Sequence, residues 1–241
     1  MSNEILLVIE VFLTFGILLL AYRLFGKLGL FIWIPIATIL ANIQVLVSVS
    51  IFGLVGTLGN VIYSSNFLAT DIISEKYGKK DATRAVAIGF FALITTTVLM
   101  NFSLLYTPLG DALSKESYNH VKSIFSVMPR LAFASLLAFL VSQTHDIWAF
   151  EFWKSKYSHR KYLWIRNNAS TIVSQIIDNG IFTVVAFWGT MPKENILQIF
   201  ITTFIFKTIL SIADTPFVYL ATAMHTKKDS KTPKNMELEN A

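Results

Sequence analysis

Asp178 stands in the middle of STIVSQIIDNGIFTVVAF, residues 170–187, a run that ends as lipophilic as a membrane segment. Ser170, Ser174 and Asp178 follow an i, i+4, i+8 pattern and Gln175 lies three residues before Asp178, so on a helix all four share one face. Ile172, Ile176 and Ile177 fall on the others and suit lipid or packing. A second apolar run carries Lys207, Ser211 and Asp214 at i, i+4, i+7, again one face. A charged side chain at mid-bilayer costs about 3 kcal/mol on insertion scales, so such groups face a cavity or a partner. Asp178 and Lys207 invite two readings. As a structural ion pair each offsets the cost of burying the other. As a binding pair, a carboxylate and an ammonium are the groups best able to exchange their partner for a polar ligand.

Three more places carry chemistry. In SQTHDIWAFEFWK, Ser142, Gln143 and Asp146 lie within one helical turn, while His145 points about 100° away from Asp146 and reads as a packing or interfacial residue. In NFLATDIISEKYGKKDA, which opens on Asn66, a candidate substrate-binding residue, Asp71 and Glu75 form an i, i+4 acidic pair and Gly78 reads as a helix C-cap. Glu75 reads as a solvated helix end, and Asp71 lies one turn deeper. Arg130 follows Pro129 at the start of a span, where snorkelling is the plain explanation. The sequence lacks GxSG, HExxH, GxGD and GxxxxGK[ST] patterns, which argues against an enzyme of a familiar kind. With no cysteine, disulfides, thiolate metal sites and thiol nucleophiles are excluded, and neither a cofactor nor a metal is expected.

The elements that must position these groups are membrane helices. Of the 241 residues 54% are hydrophobic and only 15% charged, too apolar for an ordinary soluble domain. Seven apolar stretches stand out: Ile5–Tyr22, Leu30–Phe52, Val55–Ser74, Ala85–Tyr106, Val127–Phe150, Ala169–Thr190 and Ile196–Ala223. Each is close to or longer than the roughly 20 residues a helix needs to cross a hydrocarbon core of about 30 Å. The third is the weakest, Gly-rich at its start and polar at its end, and reads either as a span or as a loop followed by a short helix. The first has the length of a signal peptide, but Glu4 and Glu10 replace the basic n-region, so a retained helix is expected.

Basic residues accumulate on the cytoplasmic side of membrane proteins. With seven crossings, fifteen Lys and Arg fall on one set of loops, Arg166 among them, against four on the other, with Lys207 inside a span. The alternation predicts an N-terminus outside and a C-terminus in the cytoplasm, and it gives the net charge of +5 a meaning that needs no nucleic acid. The expected organisation is an all-α polytopic bundle over residues 1–223, with residues 224–241 a polar, disordered cytoplasmic tail.

Four stretches together, NFLATDIISEKYGKKDA (residues 66–82), PRLAFASLLAFLVSQTHDIWAF (129–150), LWIRNNASTIVSQIIDNGIFTVVAFWG (163–189) and FKTILSIADTPFVYL (206–220), resemble the vitamin uptake transporter family, whose characterised members carry queuosine precursors. The resemblance runs from about Leu30 to Ala223 in the right order. It implies a six-helix core like the substrate-binding subunits of ECF vitamin transporters, with an added N-terminal helix, working without the ATPase module in a bacterial inner membrane. The implied cargo is a deazaguanine, such as 7-cyano-7-deazaguanine or its aminomethyl relative. Asp71, Arg130, Gln143, Asp146, Asp178 and Lys207 match the family pattern best, while Glu75 and Asp214 match only part of the family. Asp178 is the first choice for the ligand's donor edge, with Asp71 and Asp146 behind it and Gln143, Gln175, Lys207 or Arg130 as donors to its carbonyl and nitrile. The alternatives are a true ECF subunit, which would co-purify with an ATPase, and an intramembrane enzyme using Asp178 and a second carboxylate. The implied partners are the lipid bilayer and a small deazapurine; a homo-oligomer stays open.

Overall fold

The computed structural model describes residues 2–126, 128–189 and 193–224. Eight helices occur among them: α1 (Asn3–Phe25), α2 (Lys27–Gln44), α3 (Asn60–Tyr77), α4 (Lys79–Ser103), α5 (Ala112–Phe125), α6 (Met128–Lys156), α7 (Leu163–Phe187) and α8 (Lys193–Ala223). Six helical stretches, containing α1, α2, α4, α6, α7 and α8, are long and apolar enough to cross a membrane. The chain is a multi-pass membrane protein. Its outer shell is apolar, with Phe12, Leu20, Phe91, Leu99, Ile209 and Ile212 all exposed on the surface as lipid-facing groups must be.

The third expected crossing, Val55–Ser74, differs from the others for a physical reason. Leu30–Phe52 ends as a helix at Gln44, and an antiparallel hairpin follows, β1 (Ser48–Ile51) with β2 (Leu54–Thr57), pairing Ser48 with Thr57 and Ile51 with Leu54. Only then does α3 begin. Its 18 residues are about 27 Å long. From Ser64 to Ser74 every side chain is buried, because α1, α2, α4, α6 and α8 surround it. A helix that meets protein on all sides has no need of a lipophilic surface, and that is why α3 can carry Asn66, Thr70 and Asp71.

The bundle has two distinguishable ends. The upper end holds the N-terminus and the hairpin, tied together by Asn3 Nδ2 donating to Ser50 O (2.8 Å) and the Phe52 N–H to a Glu4 carboxylate oxygen (3.0 Å). The amphipathic α5, which hydrophobicity alone did not announce, also lies here, N-capped by Asp111, whose side chain accepts the Ser114 N–H at 2.8 Å. The lower end holds the α3–α4 turn at Gly78, which has φ +86° and caps α3 through its N–H to Ile73 O (3.0 Å), as its position in the sequence predicts. Packing is close: a Cβ on Gly29 would lie 2.1 Å from the Ala21 carbonyl oxygen, so only glycine lets α2 approach α1 there. The core centres on Phe15, Leu18, Ile34, Leu68, Ile72 and Val218. Residues 225–241, expected to be a tail, lie outside the described residues, as do Val127 and Thr190 at the ends of two expected spans.

Candidate functional site

At the upper end α2, α3, α6, α7 and α8 part around a cavity of about 350 Å³, within the usual range of small-molecule sites. Asn42, Asn60, Asn179 and Thr183 line its wall with apolar neighbours, and Tyr63, Asp178 and Lys207 form its floor. Lys207 Nζ donates to Asp178 Oδ2 at 2.6 Å. Asp178 Oδ1 accepts from the Tyr63 hydroxyl and from Ser142 Oγ, the latter at 3.2 Å. The ammonium also lies 4.5 Å from the centre of the Tyr63 ring. The carboxylate is 2% exposed and the lysine 6%, so both charges are desolvated and hold each other in place. Aromatic bulk comes from Tyr63 and from Phe182 and Phe187, whose rings meet edge-on at 5.9 Å.

Below this floor, along the same face of α7, lies a second polar layer outside the cavity lining. Asp71 on α3, Asp146 on α6 and Asp214 on α8 are all wholly buried. Thr171 Oγ1 stands 3.3 Å from Asp71 Oδ2 and 3.3 Å from Asp146 Oδ1. Asn167 Nδ2 donates to Asp214 Oδ1 at 2.7 Å. Gln143 accepts from Thr70 Oγ1 at 3.2 Å, and Asn66 Nδ2 donates to Thr38 Oγ1 at 3.2 Å. Gln175 is wholly buried, and its amide has no hydrogen-bond partner among the described residues. His145 Nδ1 meets Ser174 Oγ at 2.8 Å, a packing role of the kind its sequence position suggests.

The lower end is closed by a clamp that sequence reasoning missed. Arg166, counted as a loop cation, is instead a wholly buried residue of the first turn of α7. Its Nη2 donates to Glu75 Oε1 at 2.6 Å and its Nη1 to the Tyr157 and Ser158 carbonyls at 2.7 and 3.0 Å. Lys154 Nζ donates to the Ser74 and Glu75 carbonyls at 2.8 and 2.9 Å, capping the end of α3. Glu75 is therefore an ion-pair partner and not a free, solvated helix end.

The structure thus brings Asp178 and Lys207 together at a cavity, gathers Asp71, Gln143, Asp146, Gln175 and Asp214 beneath it, and leaves Arg130 apart. Arg130 is exposed and caps α7, donating from Nε to Val185 O (3.1 Å) and from Nη2 to Trp188 O (2.6 Å). It does not line the cavity. Tyr63, Asn42, Asn60, Asn179 and Thr183 are the lining residues the sequence did not single out. A signal existed for two of them: Asn179 follows Asp178 directly and Thr183 lies one turn on, a second polar row on α7. Among the described residues no group of three or more His, Asp or Glu is placed to hold a metal ion.

Residues 57–221 match the family described as "Putative vitamin uptake transporter". Over 224 residues, 93% of this chain and 96% of the other, the sequence is 42% identical to a Bacillus subtilis protein named "Probable queuosine precursor transporter". It is 26% identical over 178 residues to an Escherichia coli protein named "Queuosine precursor transporter", covering 71% of this chain and 75% of that one. No solved structure matches the chain significantly.

Proposed function

The chain belongs to the vitamin uptake transporter family, and from that premise we propose that it imports a queuosine precursor, a 7-deazaguanine such as the 7-cyano or 7-aminomethyl form. The observation that carries the proposal is the cavity floored by Asp178 and Lys207. A guanine-like edge presents an N–H and an amino group side by side, which one carboxylate accepts in bidentate fashion. The Asp178 carboxylate supplies that acceptor pair once the ligand displaces Lys207 and the two hydroxyls. The freed ammonium then donates to the base carbonyl or the nitrile. Tyr63, Phe182 and Phe187 cover ring faces, and the wall amides and Thr183 select for polar substituents.

In this reading the upper end faces the outside of an inner membrane and the lower end the cytoplasm, in agreement with the distribution of Lys and Arg. The cavity is the outward-open half of the path. The polar layer below it and the Arg166–Glu75–Lys154 clamp are the closed half. Import proceeds when α7 and α8 shift so that the ligand passes the Asp178–Lys207 rung, with no ATPase attached. The test is cellular. Bacteria unable to make the precursor, given this chain and nanomolar external 7-cyano-7-deazaguanine, should produce queuosine-modified tRNA. A well-expressed chain that leaves tRNA unmodified would overturn the proposal.

A further inference from the structure

Asp71, Asp146 and Asp214 present a problem that the carrier reading does not use. All three are wholly buried on different helices, and each keeps one carboxyl oxygen without a hydrogen-bond partner among the described residues: Asp71 Oδ1, Asp146 Oδ2 and Asp214 Oδ2. No cation bonds to any of them there. The positive charges of the surrounding helices are engaged elsewhere: Lys207 of α8 with Asp178, Arg166 of α7 with Glu75 of α3, and Lys154 of α6 with Glu75 and its carbonyls. Lys79 of α4 borders a surface groove beside His145, and Lys27 of α2 pairs with Asp81 of α4 at 2.5 Å. His145 bonds Ser174, and Glu151 lies about one further turn down α6 from Asp146.

Two features make this more than a group of acids. Asp71 and Asp146 flank the Thr171 hydroxyl, each with one oxygen 3.3 Å from it, and no cation bonds to either among the described residues. Two carboxylates buried so close together without a counter-charge cannot both stay ionised, so the pair calls for a proton. Thr171 touches both but has a single hydroxyl hydrogen, so it can serve only one at a time. Separately, Gln143 is wholly buried with an unpartnered Nε2, and its Oε1 is held by Thr70, the neighbour of Asp71, which brings its amide from α6 onto the turn that carries the pair. Gln175 adds an unpartnered, wholly buried amide one turn above Thr171. Neither amide carries a charge, so neither can neutralise the pair.

We infer that Asp71 and Asp146, bridged by Thr171, form a proton-binding site that couples import to the inward proton gradient. The inference rests on the carrier reading above. The two layers adjoin along α6: Ser142 touches Asp178 at the floor, and Asp146 lies one turn below Ser142. Thr171 and Asp178 are two turns apart on α7, and so are Lys207 and Asp214 on α8, so a shift of these two helices changes both layers together. One proton enters with each substrate, sits between Asp71 and Asp146 while the ligand holds Asp178, and leaves to the lower side when α7 moves Thr171 off the pair.

The test uses the purified full chain in proteoliposomes with labelled 7-cyano-7-deazaguanine. An inward gradient of one pH unit, acid outside, should raise the accumulation ratio up to about tenfold at a coupling of one proton per substrate. Unlabelled substrate added outside should acidify the lumen, and replacing sodium by choline should change nothing. Thr171→Val, outside the cavity lining, should retain gradient-free counterflow exchange and weaken the effect of the pH gradient, and Asp146→Asn should abolish that effect. Exchange that is robust in the wild type but indifferent to the gradient would overturn the proton site and leave the carrier standing. Dependence on sodium in place of protons would overturn it too. Absence of any exchange would overturn both.

Discussion

Replacing Asp178 by Asn leaves the volume of the cavity floor almost unchanged while removing its negative charge and one of its two strong acceptors. Two consequences can be separated. Lys207, 6% exposed and bonded to Asp178 at 2.6 Å, becomes a buried ammonium without its counter-charge. Breaking a buried pair from one side costs about 3–5 kcal/mol, so the variant should unfold at a clearly lower temperature. The ligand, for its part, loses a bidentate acceptor. Hydrogen bonds to a charged group contribute about 1.5–3 kcal/mol each, and an amide oxygen retains part of one, which leaves a net loss of about 2–3 kcal/mol, or roughly 30- to 150-fold in Kd. The assay is direct binding of labelled 7-cyano-7-deazaguanine to purified protein, with thermal unfolding followed in parallel. Adding Lys207→Met to Asp178→Asn removes the orphaned ammonium and should restore much of the stability without restoring binding. If Asp178→Asn bound the ligand as the wild type does while losing stability, Asp178 and Lys207 would be a structural pair and the assignment of the donor edge would fall.

Other perturbations address the frame of the site. Arg166→Gln leaves Glu75 and the Tyr157 and Ser158 carbonyls without their guanidinium, and it should destabilise the protein by about 3–5 kcal/mol, read as a fall in Tm; an unchanged Tm would show that the clamp carries no strength. Gly29→Ala drives a methyl to within 2.1 Å of the Ala21 oxygen and should cost at least about 1–3 kcal/mol, whereas Gly16→Ala, with nothing within 4 Å, should be neutral. The Ser114 N–H bonded to Asp111 holds its carboxyl below the usual carboxylate range. Its contribution to the start of α5 is therefore complete at neutral pH and is lost only as pH falls through that depressed value. Hydrogen exchange of the first turn of α5 should be faster in Asp111→Ala than in the wild type at pH 7, and the two should converge in strong acid.

The parts of the fold that the sequence announced are those governed by a solvent rule. A helix facing lipid has to be apolar, so α1, α4, α6, α7 and α8 can be read from hydropathy, with ends that differ by up to six residues where polar turns extend the helix. The i, i+4 spacing of Ser170, Ser174 and Asp178 gave their common face because helix geometry is local. What remained hidden depends on contacts between distant segments. Tyr63 reaches Asp178 across 115 positions and Arg166 reaches Glu75 across 91, and no local pattern marks either. The hydropathy of α3 misleads because its neighbours replace lipid, and the contacts of Arg130 with the end of α7 join segments 55 and 58 positions apart, which no local pattern marks. The sequence left two readings of Asp178 and Lys207 open. The geometry joins them, since the pair is formed and also floors the cavity.

The most direct test of the central claim is counterflow uptake of labelled 7-cyano-7-deazaguanine into proteoliposomes containing this chain alone, without ATP. The predicted result is saturable uptake that stops when Thr183→Cys, in the cavity wall, is modified with a bulky thiol reagent; the parent chain, which has no cysteine, should be unaffected. No uptake, or uptake only after an ATPase module is added, would contradict the account.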